Sequence, residues 1–187
     1  MDVTQTDLPG VLMIVPRVFR DERGSFLESW HAHRYAAARL PEAFVQANIV
    51  RSSAGVLRGL HYQLRHTQGK LIWAVRGSIF DVAVDIRQGS PTFGQWVGEV
   101  LSDRDHRQLY IPPGFAHGYC VLSESADCAY LCTDYYAPGD EYGLPWNDKT
   151  IAIQWPVASP ILSDRDQQWP ELDGIPRERL PVWENAG

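Results

Sequence analysis

Short runs of alternating apolar and polar residues follow one another from Val45 onward and predict β-strands. Gly, Pro, Asp or Ser residues bound each run, as is typical of strands joined by tight turns. The predicted strands lie in the segments KLIWAVR, SIFDVAVDI, FGQWVGEVL, QLYIPP, HGYCVLS, DCAYLCTDYY and IAIQW. Many short strands at this spacing favour an all-β sandwich or small barrel.

The segment KLIWAVRGSIFDVAVDI contains two of these runs, separated by Gly77 and Ser78, which predicts a hairpin. In the second run, the apolar residues at alternate positions from Phe80 to Ile86 share one face, whereas Asp81 and Asp85 share the other. The two acids either face solvent or lie on an inner face, where they need hydrogen-bonding partners. The sequence leaves both interpretations open.

Helical sequence is confined to the ends of the chain. One helix is predicted around SWHAHRYAAARL, where Pro41 ends it. The C-terminal segment DGIPRERLPVWENAG predicts a short helix or an irregular tail over about residues 171–187. With 187 residues, the chain has room for one substantial core. We therefore expect residues 1–187 to form a single all-β domain with one or two short helices.

Composition and charge argue against several classes of protein. The formal charge of −6 and the pI near 5.4 disfavour a nucleic-acid-binding protein. The N-terminal MDVTQTDLPG does not read as a secretory signal, and no apolar run approaches the roughly 20 residues of a membrane span. Cys120, Cys128 and Cys132 are odd in number and form no Cys-x-x-Cys pair, which favours reduced thiols in a cytoplasmic protein.

The histidines raise the question of a metal site. The segment IPPGFAHGY, which contains His117, resembles the second half of the cupin metal motif. The first half of that motif would supply a His-x-His pair and a glutamate, but the chain reads His61-Tyr62-Gln63 there. His31 and His33 form a His-x-His pair, but on a helix their side chains point in different directions. No metal is predicted.

The segment RGLHYQLRHTQGK places His61 close to Lys70, with His66 between them. A histidine oriented by a carboxylate can act as a base near pH 7, and a lysine beside a ketone can stabilise an enolate. A tyrosine that donates a proton from the opposite side would complete an epimerisation. Tyr130 and Tyr136 are candidate donors, and Asp164 and Asp166 are candidate partners of the histidine. Periodicity does not choose among them, and a structural role is the alternative for each.

Ordered blocks of sequence from Phe19 to Pro170 resemble the dTDP-4-dehydrorhamnose 3,5-epimerase family. The blocks are FRDERGSFLESW, VLRGLHYQ, QGKLIWAVRGSIFDVAVDIRQGSPTFGQW, LYIPPGFAHGY, YYAPGDE, LPWND and LSDRD. The resemblance implies a cupin-type jelly-roll barrel that acts on a dTDP-linked 4-keto-6-deoxy sugar. It also implies inversion of C3 and C5 of dTDP-4-keto-6-deoxy-D-glucose without a cofactor, giving dTDP-4-keto-L-rhamnose.

The same resemblance implies roles for individual residues. His61 is expected to be the base, Tyr130 the acid, Asp166 the partner of the histidine, and Lys70 the neighbour of the C4 oxygen. His66 is expected to be a loop residue. The expected substrate-binding residues are Arg23 and Arg58 for the diphosphate, Tyr136 for thymine, His117 for the sugar, and Glu28, Gln46, Asn48, Glu141 and Arg165 for other nucleotide or sugar contacts.

The family is a homodimer whose N-terminal strands cross to the partner, which implies that Arg23 and Glu28 serve the neighbouring site. Ala47 replaces an acid that family members often carry, so one contact is missing. A single-centre epimerase of another deoxysugar pathway has the same fold and remains an alternative. A metal-dependent cupin is disfavoured by the missing imidazoles, and a non-catalytic nucleotide-sugar binder by the joint presence of base, acid, lysine and carboxylate.

Overall fold

The computed structural model describes residues 1–41 and 43–183. Thirteen β-strands and one short helix occur within these residues, which confirms the all-β class that the sequence predicts. The strands are β1 (Asp2–Gln5), β2 (Leu12–Val15), β3 (Val18–Asp21), β4 (Gly24–Leu27), β5 (Gln46–Ser53), β6 (Leu57–Gln63), β7 (Lys70–Arg76), β8 (Ser78–Asp85), β9 (Trp96–Ser102), β10 (Gln108–Ile111), β11 (Phe115–Val121), β12 (Ser125–Cys132) and β13 (Glu141–Gly143). Helix α1 spans Ala32–Ala37, and two 3-10 turns span Leu172–Gly174 and Arg177–Arg179.

The strands form two antiparallel sheets that pack face to face, and a separate hairpin. The six-stranded sheet has the order β1-β2-β10-β7-β12-β5, and the five-stranded sheet has the order β13-β6-β11-β8-β9. From β5 to β8, and again from β9 to β13, each successive strand lies in the other sheet. This alternation is typical of a jelly roll, and it brings residues that are distant in sequence together between the sheets.

The alternation corrects the hairpin that the sequence predicts at Gly77. Strand β7 pairs with β10 and β12, whereas β8 pairs with β9 and β11, so the chain changes sheets at this glycine. Gly77 has a φ of +77°, and a Cβ atom there would lie 2.2 Å from the carbonyl oxygen of Ser125. The corner therefore requires glycine. A glycine between two apolar runs marks a hairpin or a corner, and the local sequence does not separate the two.

Asp81 and Asp85 lie on β8, and both are fully buried. Asp81 Oδ2 lies 2.9 Å from His117 Nε2. Asp85 accepts hydrogen bonds from the side chains of Arg87 and Ser90, among others. The interpretation that the acids face inward and are paired is confirmed, and the solvent-facing alternative is wrong.

The C-terminal part of the chain covers the outer face of the five-stranded sheet. Leu172, Ile175 and Leu180 pack with Val82 and Val84 of β8. The only regular elements within residues 171–183 are the two 3-10 turns. The burial of these apolar side chains, and not a long helix, therefore holds the segment against the sheet. The predicted tail is therefore docked as far as residue 183, and residues 184–187 lie outside the described part of the chain.

The predicted strand IAIQW is wrong, although its alternation is real. Ile151, Ile153 and Trp155 contribute to the same apolar cluster on the outer face of the sheet. Ala152, however, has a φ of +52°, which interrupts an extended backbone, and the segment pairs with no described strand. A surface segment that packs alternate side chains against a sheet has the same pattern as a strand.

Helix α1 covers part of the outer face of the six-stranded sheet, where Tyr35 packs against Leu71 and Tyr110. The helix ends before the predicted stop at Pro41, since Arg39 has a φ of +66°. No helix in the described part of the chain is long and apolar enough to cross a membrane.

Two apolar surfaces near the N-terminal part remain uncovered in the single chain. The β3–β4 hairpin pairs with no other strand among the described residues, and Phe26 is 68% exposed. Strand β5 is the last strand of the six-stranded sheet and has no neighbour on its other side among residues 1–41 and 43–183, and its Ile49 is 79% exposed.

Candidate active site

A cavity of about 450 Å³ opens between the two sheets. Its lining draws side chains from β5, β6, β7, β11, β12 and β13 and from the loop after β13, so residues from Val50 to Asp166 meet there. Nine of the predicted site residues line it: Arg58, His61, Lys70, His117, Tyr130, Tyr136, Glu141, Arg165 and Asp166.

His61 lies on β6, and its imidazole is placed between two carboxylates. Nε2 lies 2.6 Å from Asp166 Oδ1, and Nδ1 lies 3.7 Å from Glu141 Oε1. A contact as short as the first requires a proton on Nε2, because a carboxylate can only accept a hydrogen bond. Nδ1 then carries the lone pair, and it lies on the side of Glu141, which also lines the cavity. A neutral imidazole held in this tautomer is a competent base.

Asp166 reaches His61 because its loop returns to the start of β6. The amide of Leu57 donates to the Ile161 carbonyl at 3.0 Å, and the amide of Ile161 donates to the Gly55 carbonyl at 2.8 Å. Of the two candidate acids, Asp166 is thus the partner of His61, whereas Asp164 is exposed.

The Asp166 side chain is 4% exposed, yet its carboxylate remains charged near neutral pH. Burial alone would raise the pKa of Asp166, but hydrogen bonds from His61 and contacts with Trp169 and Ser163 outweigh it and lower the pKa. A charged carboxylate at this position stabilises the imidazolium that forms when His61 takes a proton.

Tyr130 enters the cavity from β12 of the six-stranded sheet, opposite β6. In the ladder between β12 and β7, Tyr130 is the neighbour of Ile72, and Cys132 is the neighbour of Lys70. Tyr130 and Lys70 therefore project from the same face of this sheet. Burial raises the pKa of Tyr130, so the phenol keeps its proton at neutral pH and can donate it.

The Lys70 ammonium faces the cavity without a carboxylate partner. Within residues 1–41 and 43–183, no carboxylate oxygen lies within 4.0 Å of it. Burial lowers the pKa of Lys70, and the nearby Cys132, Glu141 and Asp81 oppose that effect. An unpaired cation in a cavity wall is available to an oxygen of a bound molecule.

His117 forms a second histidine–aspartate pair in the wall of the cavity. It is the cross-strand neighbour of His61, and its Nε2 lies 2.9 Å from Asp81 Oδ2. Gly59 has a φ of +110°, and a Cβ atom there would lie 2.6 Å from Gly118 Cα, so the two strands approach closely beneath the histidines.

The mouth of the cavity combines positive charge with an aromatic ring. Arg165 donates to Glu141 Oε2, and the Tyr136 hydroxyl lies 3.2 Å from the same oxygen. Arg58 Nε donates to Ser52 Oγ at 3.0 Å. Arg58 and Arg165 thus bring two positive charges to the lining of one cavity, and Tyr136, in the same lining, is 48% exposed.

Gln46 and Asn48 are not in the lining of the cavity, although they share a face of β5 with Val50, which lines it. The amide of Tyr136 donates to Gln46 Oε1 at 2.8 Å, and Gln46 Nε2 donates to Asn48 Oδ1 at 3.0 Å. The pair therefore supports Tyr136. Ala47 is exposed on the other face of β5, so the missing acid at this position does not open the cavity wall.

Arg23 and Glu28 lie away from the cavity in the single chain. Arg23 is at the turn of the β3–β4 hairpin and pairs with Asp21, and Glu28 follows the hairpin and pairs with Arg34. His66, the expected loop residue, is exposed and lies 3.3 Å from Asp134 outside the cavity lining.

The described part of the chain holds no group of three or more His, Cys, Asp and Glu side chains that could bind a metal ion. His61 and His117 each contact an aspartate instead.

Two residues that contact the site were given no role from the sequence. Asp81, the partner of His117, stands out as an acid in an apolar strand, which is the signal that could have pointed to it. Trp169, which contacts both His61 and Asp166, lies in an irregular segment and carries no such signal.

The family model for dTDP-4-dehydrorhamnose 3,5-epimerase matches residues 5–174. The dTDP-4-dehydrorhamnose 3,5-epimerase of Pseudomonas aeruginosa is 52% identical over 170 residues, which cover 90% of this chain and 94% of the relative. The structure of the dTDP-6-deoxy-D-glucose-3,5-epimerase of Legionella pneumophila, in complex with dTDP-4-keto-L-rhamnose, matches with a TM-score of 0.96 and 49% identity over 98% of both chains. A 3'-monoepimerase from Streptomyces bikiniensis, in complex with dTDP-quinovose, matches with a TM-score of 0.89 and 32% identity over 95% of this chain and 91% of the other.

These similarities extend over nearly the whole chain, and they include the strands and the loop that build the cavity. They confirm the cupin-type jelly roll and place the protein among enzymes that are epimerases of dTDP-linked sugars. The chain belongs to the dTDP-4-dehydrorhamnose 3,5-epimerase family.

Proposed function

We propose that this protein is a dTDP-4-dehydrorhamnose 3,5-epimerase, which converts dTDP-4-keto-6-deoxy-D-glucose into dTDP-4-keto-L-rhamnose. C3 and C5 both flank the C4 ketone, which acidifies their C–H bonds. One observation carries the proposal: the base His61 and the proton donor Tyr130 enter one cavity from opposite sheets, and Lys70 lies unpaired beside the donor.

Each inversion begins when Nδ1 of His61 removes the proton from C3 or C5. The electrons of the C–H bond move toward the C4 oxygen, and an enolate forms. Asp166 stabilises the imidazolium, because its carboxylate lies 2.6 Å from Nε2. Lys70 donates a hydrogen bond to the developing negative charge on the oxygen.

The second half of each inversion returns a proton to the same carbon from the other side. Tyr130 gives up its phenolic proton to the enolate carbon, and the electrons leave the oxygen to restore the ketone. Solvent then reprotonates the phenolate, and the imidazolium releases its proton to solvent. Since no electrons are gained or lost overall, the reaction requires no redox cofactor.

The nucleotide half of the substrate fits the mouth of the cavity. The guanidinium groups of Arg58 and Arg165 bind the diphosphate, and Tyr136 stacks on thymine. His117 and Glu141 bind the sugar. Arg165 exchanges part of its contact with Glu141 for phosphate oxygens when the substrate enters. Gln46 and Asn48 hold the backbone of Tyr136 in place.

The functional unit is a homodimer in which the N-terminal hairpin crosses to the partner. The exposed apolar hairpin and the free edge of β5 support this arrangement, since each surface needs a cover that the single chain does not supply. In the dimer, Arg23 and Glu28 of one protomer complete the cavity of the other.

Mixed dimers test the crossed arrangement. Protomers with His61→Ala and protomers with Arg23→Ala are inactive or weak alone, but a mixed dimer contains one site with both residues intact. Activity that appears on mixing and refolding the two variants supports the crossing. Absence of recovery, with mixed dimers verified by mass spectrometry, refutes it.

NMR of the reaction in deuterated water tests the double inversion. Deuterium from solvent should appear at both C3 and C5 of the product. The match to a 3'-monoepimerase makes single inversion the second candidate, because one scaffold supports both outcomes. Deuterium at one carbon only establishes that alternative, and deuterium at neither carbon refutes both.

The cytoplasmic location inferred from the sequence remains a prediction. Its support is chemical: Cys120, Cys128 and Cys132 are buried free thiols, as is usual where the environment is reducing.

A further inference from the structure

Trp169 lies beside the His61–Asp166 pair and touches both members. Its indole Nε1 lies 3.3 Å from Asp166 Oδ1, the same oxygen that lies 2.6 Å from His61 Nε2. The indole and imidazole rings also meet edge to face, with centroids 6.2 Å apart and planes at 72°. Trp169 therefore contacts both the Asp166 carboxylate and the His61 imidazole, and the proposed chemistry requires a defined placement of these two groups.

The backbone leaves room for this indole next to His61. Gly143 is the cross-strand neighbour of His61 in the ladder between β13 and β6. A Cβ atom at Gly143 would lie 2.5 Å from both Nε1 and Cε2 of the indole. The absence of a side chain at this position in the ladder is thus what allows Trp169 to reach Asp166.

The carboxylate depends on such contacts because it is carried by a loop. The loop has a local bond of its own, from the Asp166 amide to Ser163 Oγ at 3.1 Å, and Ser163 also helps to lower the pKa of the carboxyl group, but the two N–H groups nearest Oδ1 are those of His61 and Trp169. Two N–H groups that converge on Oδ1 define the rotation of the carboxylate. The ring contact with His61 limits the tilt of the imidazole.

We propose that Trp169 is a positioning residue, which holds the Asp166 carboxylate and the His61 ring so that Nδ1 of His61 faces the reacting carbon. The inference rests on the proposed function, in which His61 is the base. Trp169 is not in the lining of the cavity, so it acts through the pair and not on the substrate.

The indole N–H has an electrostatic effect that a purely structural residue would not have. It withdraws negative charge from Oδ1, so the His61–Asp166 pair holds its proton less tightly than it would without the indole. Removal of the N–H makes the pair more basic. The acidic limb of the pH profile of kcat/KM then moves to higher pH.

The substitution Trp169→Phe removes the indole N–H group and keeps an aromatic ring at this position. We expect kcat to fall on the order of tenfold, since a misplacement of about 1 Å costs on the order of 10²-fold and the remaining ring limits the movement. KM for the dTDP-sugar should change little, and the acidic limb should shift upward. Wild-type kcat with an unshifted limb in Trp169→Phe overturns the proposal.

Trp155→Phe is the matched control. The Trp155 indole donates to the Trp146 carbonyl at 2.7 Å and meets Phe80 edge to face, but it does not line the cavity. Its replacement removes an N–H of the same kind at a distance from the pair. It should leave kcat and the acidic limb unchanged, and a change equal to that of Trp169→Phe overturns the proposal.

An NMR measurement tests the contact without relying on activity. In protein labelled with ¹⁵N-tryptophan, the resonance that disappears in Trp169→Phe identifies the Trp169 indole. This resonance should shift strongly in Asp166→Asn, and a resonance that does not respond overturns the proposal; if Trp169→Phe folds poorly, Trp169→Tyr supplies the assignment. If the wild-type protein exchanges the hydrogen of neither C3 nor C5 with solvent, the proposed function fails. The response of the indole resonance to Asp166→Asn still decides whether Trp169 contacts Asp166.

Discussion

Replacement of Lys70 by Met should abolish most of the activity while leaving the fold as stable as before, or more stable. Of the seventeen basic residues, two are lysines, Lys70 and Lys149, and one of these two lies in the cavity wall. A compact ammonium can approach a single oxygen where a guanidinium fork would not fit. The Lys70→Met variant keeps an unbranched side chain, one heavy atom shorter than lysine, and removes the ammonium group with its charge and its N–H donors.

The loss of rate follows from the geometry of the ammonium. At about 3 Å from an enolate oxygen and an effective dielectric constant of ~20, the attraction is about 5 kcal/mol. Part of it replaces interactions with water in the free enzyme, so the net effect should be close to that of one oxyanion donor, ~10²–10³ in kcat. KM should change little, because the ground-state ketone carries no full charge.

The effect on stability has the opposite sign. Burial lowers the pKa of Lys70 below its ordinary value of 10.5, so the charged form is destabilised in the folded state. Wild-type stability should therefore rise as the pH increases toward 10.5, since the unfolded chain binds more protons in that range. Lys70→Met removes the buried charge, and a gain of about 1 kcal/mol would raise the Tm by about 2–4 °C.

Kinetics, thermal unfolding and NMR of ¹³C-lysine-labelled protein measure these effects. The two lysine signals are assigned with Lys70→Met and with Lys149→Met, a surface variant that serves as the control. Lys149 is 85% exposed and lies 3.4 Å from Glu171, so its loss should change neither kcat nor the Tm by much. Near-normal turnover of Lys70→Met, or a Tm several degrees below wild type, would refute this reasoning.

Three further predictions concern other residues. His61→Ala should abolish epimerisation and leave the affinity for dTDP nearly unchanged in calorimetry, because it removes the base and no phosphate contact; retained turnover would contradict the assignment. Tyr130→Phe should depress net epimerisation but allow deuterium exchange at the first carbon, and wild-type product formation by NMR would exclude Tyr130 as the acid. Asp85→Asn should lower the free energy of unfolding by about 3 kcal/mol, because the Arg87 guanidinium loses its counter-ion. Burial alone would raise the pKa of Asp85, but its hydrogen bonds to Arg87, Ser90 and Thr92 outweigh it and lower the pKa below 3.8. Wild-type stability should then fall as the pH drops below 3.8 toward the folded-state pKa, and Asp85→Asn should lose this dependence; identical acid-unfolding curves would contradict the prediction.

The strands of the central region could be predicted from the sequence because side-chain alternation reports directly which residues face a core. The pattern in β8 also singled out Asp81 and Asp85 as acids that need partners if they are buried, and both have them. The choice of Tyr130 over Tyr136, and of Asp166 over Asp164, came from the family resemblance. The hydrophobic periodicity alone does not distinguish between the two tyrosines or between the two aspartates.

The features that the sequence did not reveal depend on contacts between distant segments. Gly77 turns a corner between sheets because β7 and β8 find their partners elsewhere in the chain. The pairing of His61 with Asp166, which the family resemblance implied but the local pattern did not, joins residues 105 positions apart. Trp169 acquires its place only when Gly143 leaves room for it. In each case the tertiary neighbour, and not the local pattern, decides the structure.

The most direct test of the account is the structure of the protein with a dTDP-linked 4-keto sugar bound. It should place His61 Nδ1 and the Tyr130 hydroxyl on opposite sides of the sugar ring, with Lys70 Nζ within hydrogen-bonding distance of the C4 oxygen. If both side chains approach from the same side, or if the C4 oxygen lies away from Lys70, the proposed chemistry is wrong.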